Sequence, residues 1–214
     1  MLFSWLPPAW LPLAALPAII ALSALRVWGV QRAHGVTVFS FGRRAAIQGV
    51  AERNWKVAVF VAVALAAIAW LAPDLETVLG RPEWAGGAAL RWTSATLFVG
   101  SVLIICIAQL QMGASWRVGV PAEGPGPLVQ HGLFKWSRNP IFVGILAAVL
   151  ALFLWSPNIA TAAVLAATWT LTMVQVRIEE EALREKHGDA YEFYAAAVGR
   201  WFGRRRVSAN GTRP

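Results

Sequence analysis

The sequence predicts an all-α protein: a polytopic membrane bundle of about five transmembrane helices, followed by a helical C-terminal segment on its cytoplasmic face. Three observations carry this expectation. The 214-residue chain is 57% hydrophobic and only 14% charged, against roughly 25% charged residues in an ordinary soluble domain. Its apolar residues fall into five runs, four of which approach the roughly 20 residues needed to cross about 30 Å of hydrocarbon. Tryptophans gather at the run ends (Trp5, Trp10, Trp55, Trp70, Trp92, Trp155), as amphipathic rings do at a membrane interface.

The first run spans 8 to 30. No basic residue precedes it, so the charged leader of a secretory signal is missing and the run reads as a retained span, kinked at Pro12 and Pro17. A polar loop, 31 to 54, carries Arg32, Arg43, Arg44 and Arg53 and turns at Gly35 and Gly42. The second run, 55 to 73, is rich in Ala and Val and stops at Pro73. A short loop with Asp74, Glu76, Arg81, Glu83 and Arg91 leads into the third run, 92 to 112. From Gly113 to Asn139 the membrane pattern breaks, because Gly124-Pro125-Gly126-Pro127 forbids a continuous helix. The fourth run, 140 to 155, makes about 24 Å of helix. After Ser156-Pro157-Asn158 the fifth run, 159 to 176, returns, and so short a turn requires an antiparallel hairpin.

Charge supplies the orientation. The loop 31 to 54 holds four basic residues, the linker 113 to 139 holds three (Arg117, Lys135, Arg138), and the chain from Arg177 onward holds eight. Five spans place all of these on one side and leave Arg81 and Arg91 on the other, so the N-terminus faces out and the C-terminus the cytoplasm, as in a bacterial inner membrane. The formal charge of +8 is thereby assigned to topology and anionic headgroups, and nucleic acid is not an expected partner. The single Cys106 excludes internal disulfides, and His34, His131 and His187 are too far apart to set up a metal-binding spacing. One membrane domain is expected: N-terminal spans over 1–91, a core over 92–202 and a basic tail over 203–214.

Polar chemistry concentrates in LVQHGLFKWSRNPIFVG, from Leu128 to Gly144. Asn139 before Pro140 reads as a helix start, Asn at the cap and Pro at the first helical position. Its free N–H groups and positive dipole end, beside Arg138, suit a carboxylate or phosphate, while a bland reading leaves Arg138 and Lys135 as topology-setting cations and Asn139 as a mere cap. In the C-terminal segment Val176, Glu180, Leu183 and His187 recur at helical spacing, so Glu180 shares an apolar face and wants a cationic partner, whereas Glu179 and Glu181 turn from the centre of that face. The alternative is an amphipathic helix lying on headgroups, its Glu triplet simply solvated. Gly188 ends this helix, Asp189 with Glu192 reads as the cap of another, and Tyr191, Tyr194 and Val198 form its buried stripe. The Arg204-Arg205-Arg206 tail reads as solvated lipid contact. No P-loop, nucleophile elbow or glycine-rich strand–helix turn is present, which excludes a Rossmann-type nucleotide fold.

HGLFKWSRNPIFVG, followed across a hydrophobic hairpin by Glu179-Glu180, Leu183, Gly188, Tyr191, Tyr194, Val198 and Arg200, resembles the isoprenylcysteine carboxyl methyltransferase and phospholipid methyltransferase family of integral-membrane enzymes. The resemblance covers roughly residues 100 to 202. It implies methyl transfer from S-adenosylmethionine, bound in a cytoplasmic pocket closed by the C-terminal segment. It further implies that Val129, His131, Gly132, Phe134, Arg138, Asn139, Pro140, Glu179 and Glu180 surround the cofactor. Arg138 and the helix start would hold its carboxylate, Glu180 its amine or ribose hydroxyls, and Phe134, Trp136 and Tyr191 would offer aromatic faces to the sulfonium. The implied acceptor is a lipophilic small molecule or lipid-modified substrate in contact with membrane lipids. Three positions depart from many relatives: Asn139 in place of His, Phe142 in place of Tyr, and His187 in place of Phe. A membrane reductase resembling the sterol reductases and a transporter or noncatalytic membrane partner are the competing readings. Against transport, ionisable residues are scarce within the first three spans.

Overall fold

The structure, a computed structural model, describes residues 6–34, 46–115 and 125–204. Gly35, Gly42, Arg43, Arg44, Arg117, Gly124, Arg205 and Arg206, as well as Trp5, lie outside the described residues.

Every long apolar run forms a helix, and the described residues build an all-helical membrane bundle. The long helices are α1 (Leu11–His34), α2 (Ala46–Leu71), then, after the one-turn α3 (Asp74–Val78), α4 (Ala88–Met112), α5 (Pro140–Trp155) and α6 (Ile159–His187); α7 (Asp189–Ala197) closes the chain. α1, α2, α4 and α6 are long and apolar enough to cross a membrane, and α5 is the shorter apolar helix that the sequence measured at sixteen residues. Large apolar side chains such as Phe60, Leu71, Leu103 and Leu110 stand more than half exposed on the outside of the bundle. In a chain of this composition that surface belongs to lipid.

Apart from α5, the long helices overrun the apolar runs that announced them. α2 begins at Ala46, so the second half of the expected polar loop is helical, and the loop after Pro73 contains α3. α6 continues eleven residues past the apolar run, to His187. Its 29 residues make a helix of about 43 Å, longer than the roughly 30 Å of hydrocarbon, which carries its last turns beyond the membrane. Asn158 starts α6 firmly: its side chain accepts from the backbone of Ala160 and Thr161 at 3.0 Å, while Thr161 Oγ1 accepts from the Asn158 N–H at 3.2 Å.

The core joins all five long helices around Leu16, Ala66, Phe98, Leu152 and Val164. α4 and α5 are the most closely associated pair. Gly144 permits this, since a Cβ there would stand 2.5 Å from Ile105 Cγ1 and 3.2 Å from the Ser101 carbonyl oxygen. At the end of the bundle where α5 stops, Glu76 of α3 is 2% exposed, pairs with Arg81 and accepts from the Ser156 hydroxyl, tying the α2–α4 connection to the hairpin turn. The opposite end holds the start of α5, the end of α6 and α7.

Candidate functional site

At that second end the backbone from His131 to Asn139 is folded by local bonds. Gly132 takes φ +58° and opens a short 3₁₀ turn, Gly132–Lys135, whose first free N–H, that of Leu133, donates to Gln111 Oε1 of α4 at 2.8 Å. A Cβ on Gly132 would lie 2.2 Å from the Gln111 amide nitrogen, so glycine is needed for both its dihedral and its lack of a side chain. The turn buries Phe134, whose carbonyl accepts from the Tyr194 hydroxyl at 2.8 Å and so docks α7.

Asn139 occupies the cap position of α5 with Pro140 at the first helical position, but its side chain caps nothing. It donates instead to Glu180 Oε1 at 3.2 Å and to the Arg200 carbonyl at 3.3 Å, while its own N–H donates to Ser137 Oγ at 3.1 Å. The expected cap is thus corrected to a crosslink between α5, α6 and the chain after α7. The cap expected at Asp189 is corrected likewise. Gly188 precedes α7, no side-chain cap bond forms, and Glu192 pairs with Arg184.

Glu180 has the cationic partners that its apolar surroundings demand. Its side chain is 5% exposed and lies between Arg138 Nη2 at 3.2 Å and the Arg200 guanidinium, whose Nη2 donates at 2.7 Å. These hydrogen bonds hold the Arg200 guanidinium above its ordinary pKa. Tyr191 is fully buried under the Arg184 guanidinium and edge-on to Tyr194. Burial, reinforced by the Glu180 charge, pushes the Tyr191 phenol up to about 12 and raises that of Tyr194 as well.

Beside this cluster is a cavity of about 360 Å³. Of the residues expected around a cofactor, Val129, Phe134, Arg138, Asn139, Pro140 and Glu179 line it. His131, Gly132, Glu180 and Tyr191 do not: His131 is exposed, Gly132 shapes the turn, and Glu180 and Tyr191 sit in the packed layer behind. Trp136, offered as an aromatic face, is 60% exposed and also outside the lining. The helix periodicity turned Glu179 away from the apolar face, and the structure turns it into the cavity, where Gln175 Nε2 donates to its Oε1 at 2.8 Å. The remaining wall is apolar and aromatic, with Trp55 of α2 packed 6.3 Å from Phe142 of α5, and Met112, Ile141 and Ile145 alongside. Residues not singled out in the sequence complete it: Gln175, and the α1–α4 pair in which Gln109 Nε2 donates to Ser23 Oγ at 2.8 Å. Only the i, i+4 spacing of Gln175 and Glu179 could have pointed to the former; nothing local links Ser23 to Gln109.

Two buried polar atoms beside the cavity, Arg138 Nε and Gln175 Oε1, have no hydrogen-bond partner among the described residues. One is a donor on a cation and the other a neutral acceptor, and each is an atom whose burial without a partner costs about 1–3 kcal/mol.

The sequence pattern of the Isoprenylcysteine carboxyl methyltransferase (ICMT) family matches residues 92–185. That span runs from the first turns of α4 through the cavity-lining turn and α5 to the end of the glutamate cluster, and stops short of α7. No curated protein matches the chain. From α4 to the last turns of α6 the chain is similar to the isoprenylcysteine carboxyl methyltransferase family, and its long apolar helices are those of an integral-membrane protein.

Proposed function

We propose that the protein transfers a methyl group from S-adenosylmethionine to a lipophilic acceptor, a prenylcysteine-like carboxylate or a lipid headgroup, at the cytoplasmic face of a membrane. The observation that carries this reading is one cavity whose wall combines Arg138 and Glu179 with aromatic and aliphatic side chains of spanning helices. Its size falls within the roughly 300–1,000 Å³ of small-molecule sites. The positive-inside distribution of Lys and Arg supports a cytoplasmic position for this end of the bundle.

The residues present fit the cofactor's charges. Arg138, with its unpartnered Nε, would bind the carboxylate. Glu179 and the free Gln175 Oε1 would accept from the ammonium. Trp55, Phe134 and Phe142 would turn aromatic faces to the positive sulfonium. The cofactor, when bound, supplies a methyl group already activated on that sulfonium. The protein's own task is therefore to align the acceptor heteroatom opposite the leaving sulfur and keep water out, with no strong acid or base required. The apolar wall from Met112, Ile141, Phe142 and Ile145 serves both purposes for a lipid-like acceptor.

Titration of the detergent-solubilised protein with S-adenosylhomocysteine tests this. Saturable binding is expected, weakened about tenfold or more by Arg138→Ala and by Glu179→Ala, the loss of one charge-assisted hydrogen bond each. Binding of NADPH with no binding of S-adenosylhomocysteine would replace this reading with the reductase.

A further inference from the structure

Arg200 follows α7, lies outside the matched residues and does not line the cavity. It nevertheless holds the most favourable position on Glu180. Its Nε donates to Oε1 and Oε2 at 3.2 and 3.1 Å and its Nη2 to Oε2 at 2.7 Å, the forked arrangement that suits a guanidinium and a carboxylate. Asn139 Nδ2 takes another place on Oε1, at 3.2 Å. Arg138 is left with a single contact, Nη2 to Oε1 at 3.2 Å, and with an Nε that has no partner among the described residues. The backbone reinforces the arrangement, because the Arg138 N–H donates to the Gly199 carbonyl at 3.1 Å and the Arg200 carbonyl accepts from Ser137 Oγ and Asn139 Nδ2.

We infer that Arg200 is a positioning residue for cofactor recognition: by occupying the fork on Glu180 it prevents that carboxylate from capturing Arg138, which stays turned along the cavity. The physical reason is competition for lone pairs. A carboxylate that is 5% exposed and faces one guanidinium draws it into a bidentate pair, whereas one already forked by Arg200 has only an edge to offer a second. Without Arg200, Glu180 would close on Arg138 Nε and Nη2, the donors that the cofactor carboxylate would use. This inference rests on the reading of Arg138 as the carboxylate partner, so its test separates the two.

S-adenosylhomocysteine and its decarboxylated analogue are titrated into wild type, Arg138→Ala, Arg200→Ala and Arg200→Lys in detergent, with thermal unfolding followed in parallel. Arg138→Ala is expected to weaken S-adenosylhomocysteine about tenfold and the decarboxylated analogue less than about twofold. Arg200→Ala is expected to show the same carboxylate-specific loss although it touches no ligand. Arg200→Lys, which keeps the charge but cannot fork, is expected to restore unfolding temperature more than affinity. Equal losses for both ligands in Arg200→Ala, or no loss for either, overturn the positioning role while leaving Arg138 in place. Failure of Arg138→Ala to discriminate the ligands, or a wild type that binds neither, overturns the carboxylate reading and this inference with it.

Discussion

Glu179 and Glu180 are sequence neighbours in opposite environments. An α-helix turns about 100° per residue, so one carboxylate faces the cavity with Gln175 as donor while the other is sealed between Arg138 and Arg200. Truncating them should separate binding from stability. Glu180→Ala leaves two guanidiniums facing each other without their counter-ion. It should destabilise by about 2–3 kcal/mol, less than a fully buried pair would because the Arg200 side chain is 37% exposed. Glu179→Ala should cost about 1 kcal/mol or less and show itself in S-adenosylhomocysteine affinity instead. Denaturant unfolding in detergent, run beside the titrations, distinguishes the two; equal destabilisation would refute the division. The sequence disclosed Glu180 because a carboxylate at helical spacing with Val176 and Leu183 requires a cation, and Arg138 stood at the mouth of a neighbouring apolar run. Periodicity turned Glu179 from the apolar face and only the family resemblance set it beside the cofactor, because periodicity separates buried from exposed faces but cannot represent a cavity, where a polar side chain leaves solvent without entering the core. Arg200 belonged to the recognised pattern, yet its task depends on a chain reversal after α7 that only the fold supplies.

At the scale of elements, α7 is held by two phenols of different kinds. The Tyr194 hydroxyl donates to the Phe134 carbonyl, whereas the Tyr191 hydroxyl is buried with no partner among the described residues. Burial favours the neutral form of both, so each pKa is raised above the value near 10 of an unfolded chain. A group whose folded pKa is raised contributes its stability in full below the unfolded value and loses it as pH climbs through the folded one. Docking of α7 should therefore be constant up to about pH 10 and weaken between there and about pH 12. Phenolate absorbance against pH, with hydrogen exchange of α7, reads this. Tyr191→Phe should shrink the alkaline step at no cost at neutral pH, and Tyr194→Phe should cost about 1 kcal/mol below about pH 10. An alkaline transition unchanged in Tyr191→Phe would refute this origin. The stripe Tyr191, Tyr194 and Val198 was legible from three- and four-residue spacing, as was the hairpin of α5 and α6 from Ser156-Pro157-Asn158. Helix ends were less so. α2 begins nine residues before the apolar run because a helix that leaves hydrocarbon continues at little cost wherever its residues tolerate it, and hydropathy marks only the solvent boundary.

Across the whole molecule, each end of the bundle is fastened by a buried carboxylate. Glu76, with Arg81 and Ser156, joins the α2–α4 connection to the hairpin turn, and Glu180, with Arg138 and Arg200, joins the start of α5 to the chain after α7. α5, sixteen residues long, hangs between these two clusters and is shorter than a relaxed span, so the ends must sit close to the two water interfaces. Which end faces the cytoplasm is then decided by the basic residues, because the headgroup potential and the insertion machinery act on Lys and Arg near span ends. The end that holds Arg138 and Arg200 carries the excess, so it should be cytoplasmic. Trp84, 67% exposed between α3 and α4, and Phe193, 74% exposed on α7, report on opposite ends. On a Cys106→Ala background, Trp84→Cys should react with a membrane-impermeant maleimide in intact cells, and Phe193→Cys only after permeabilisation. The reverse pattern would place the cavity outside the cell, away from any intracellular supply of S-adenosylmethionine, and would count against both the orientation and the proposed cofactor.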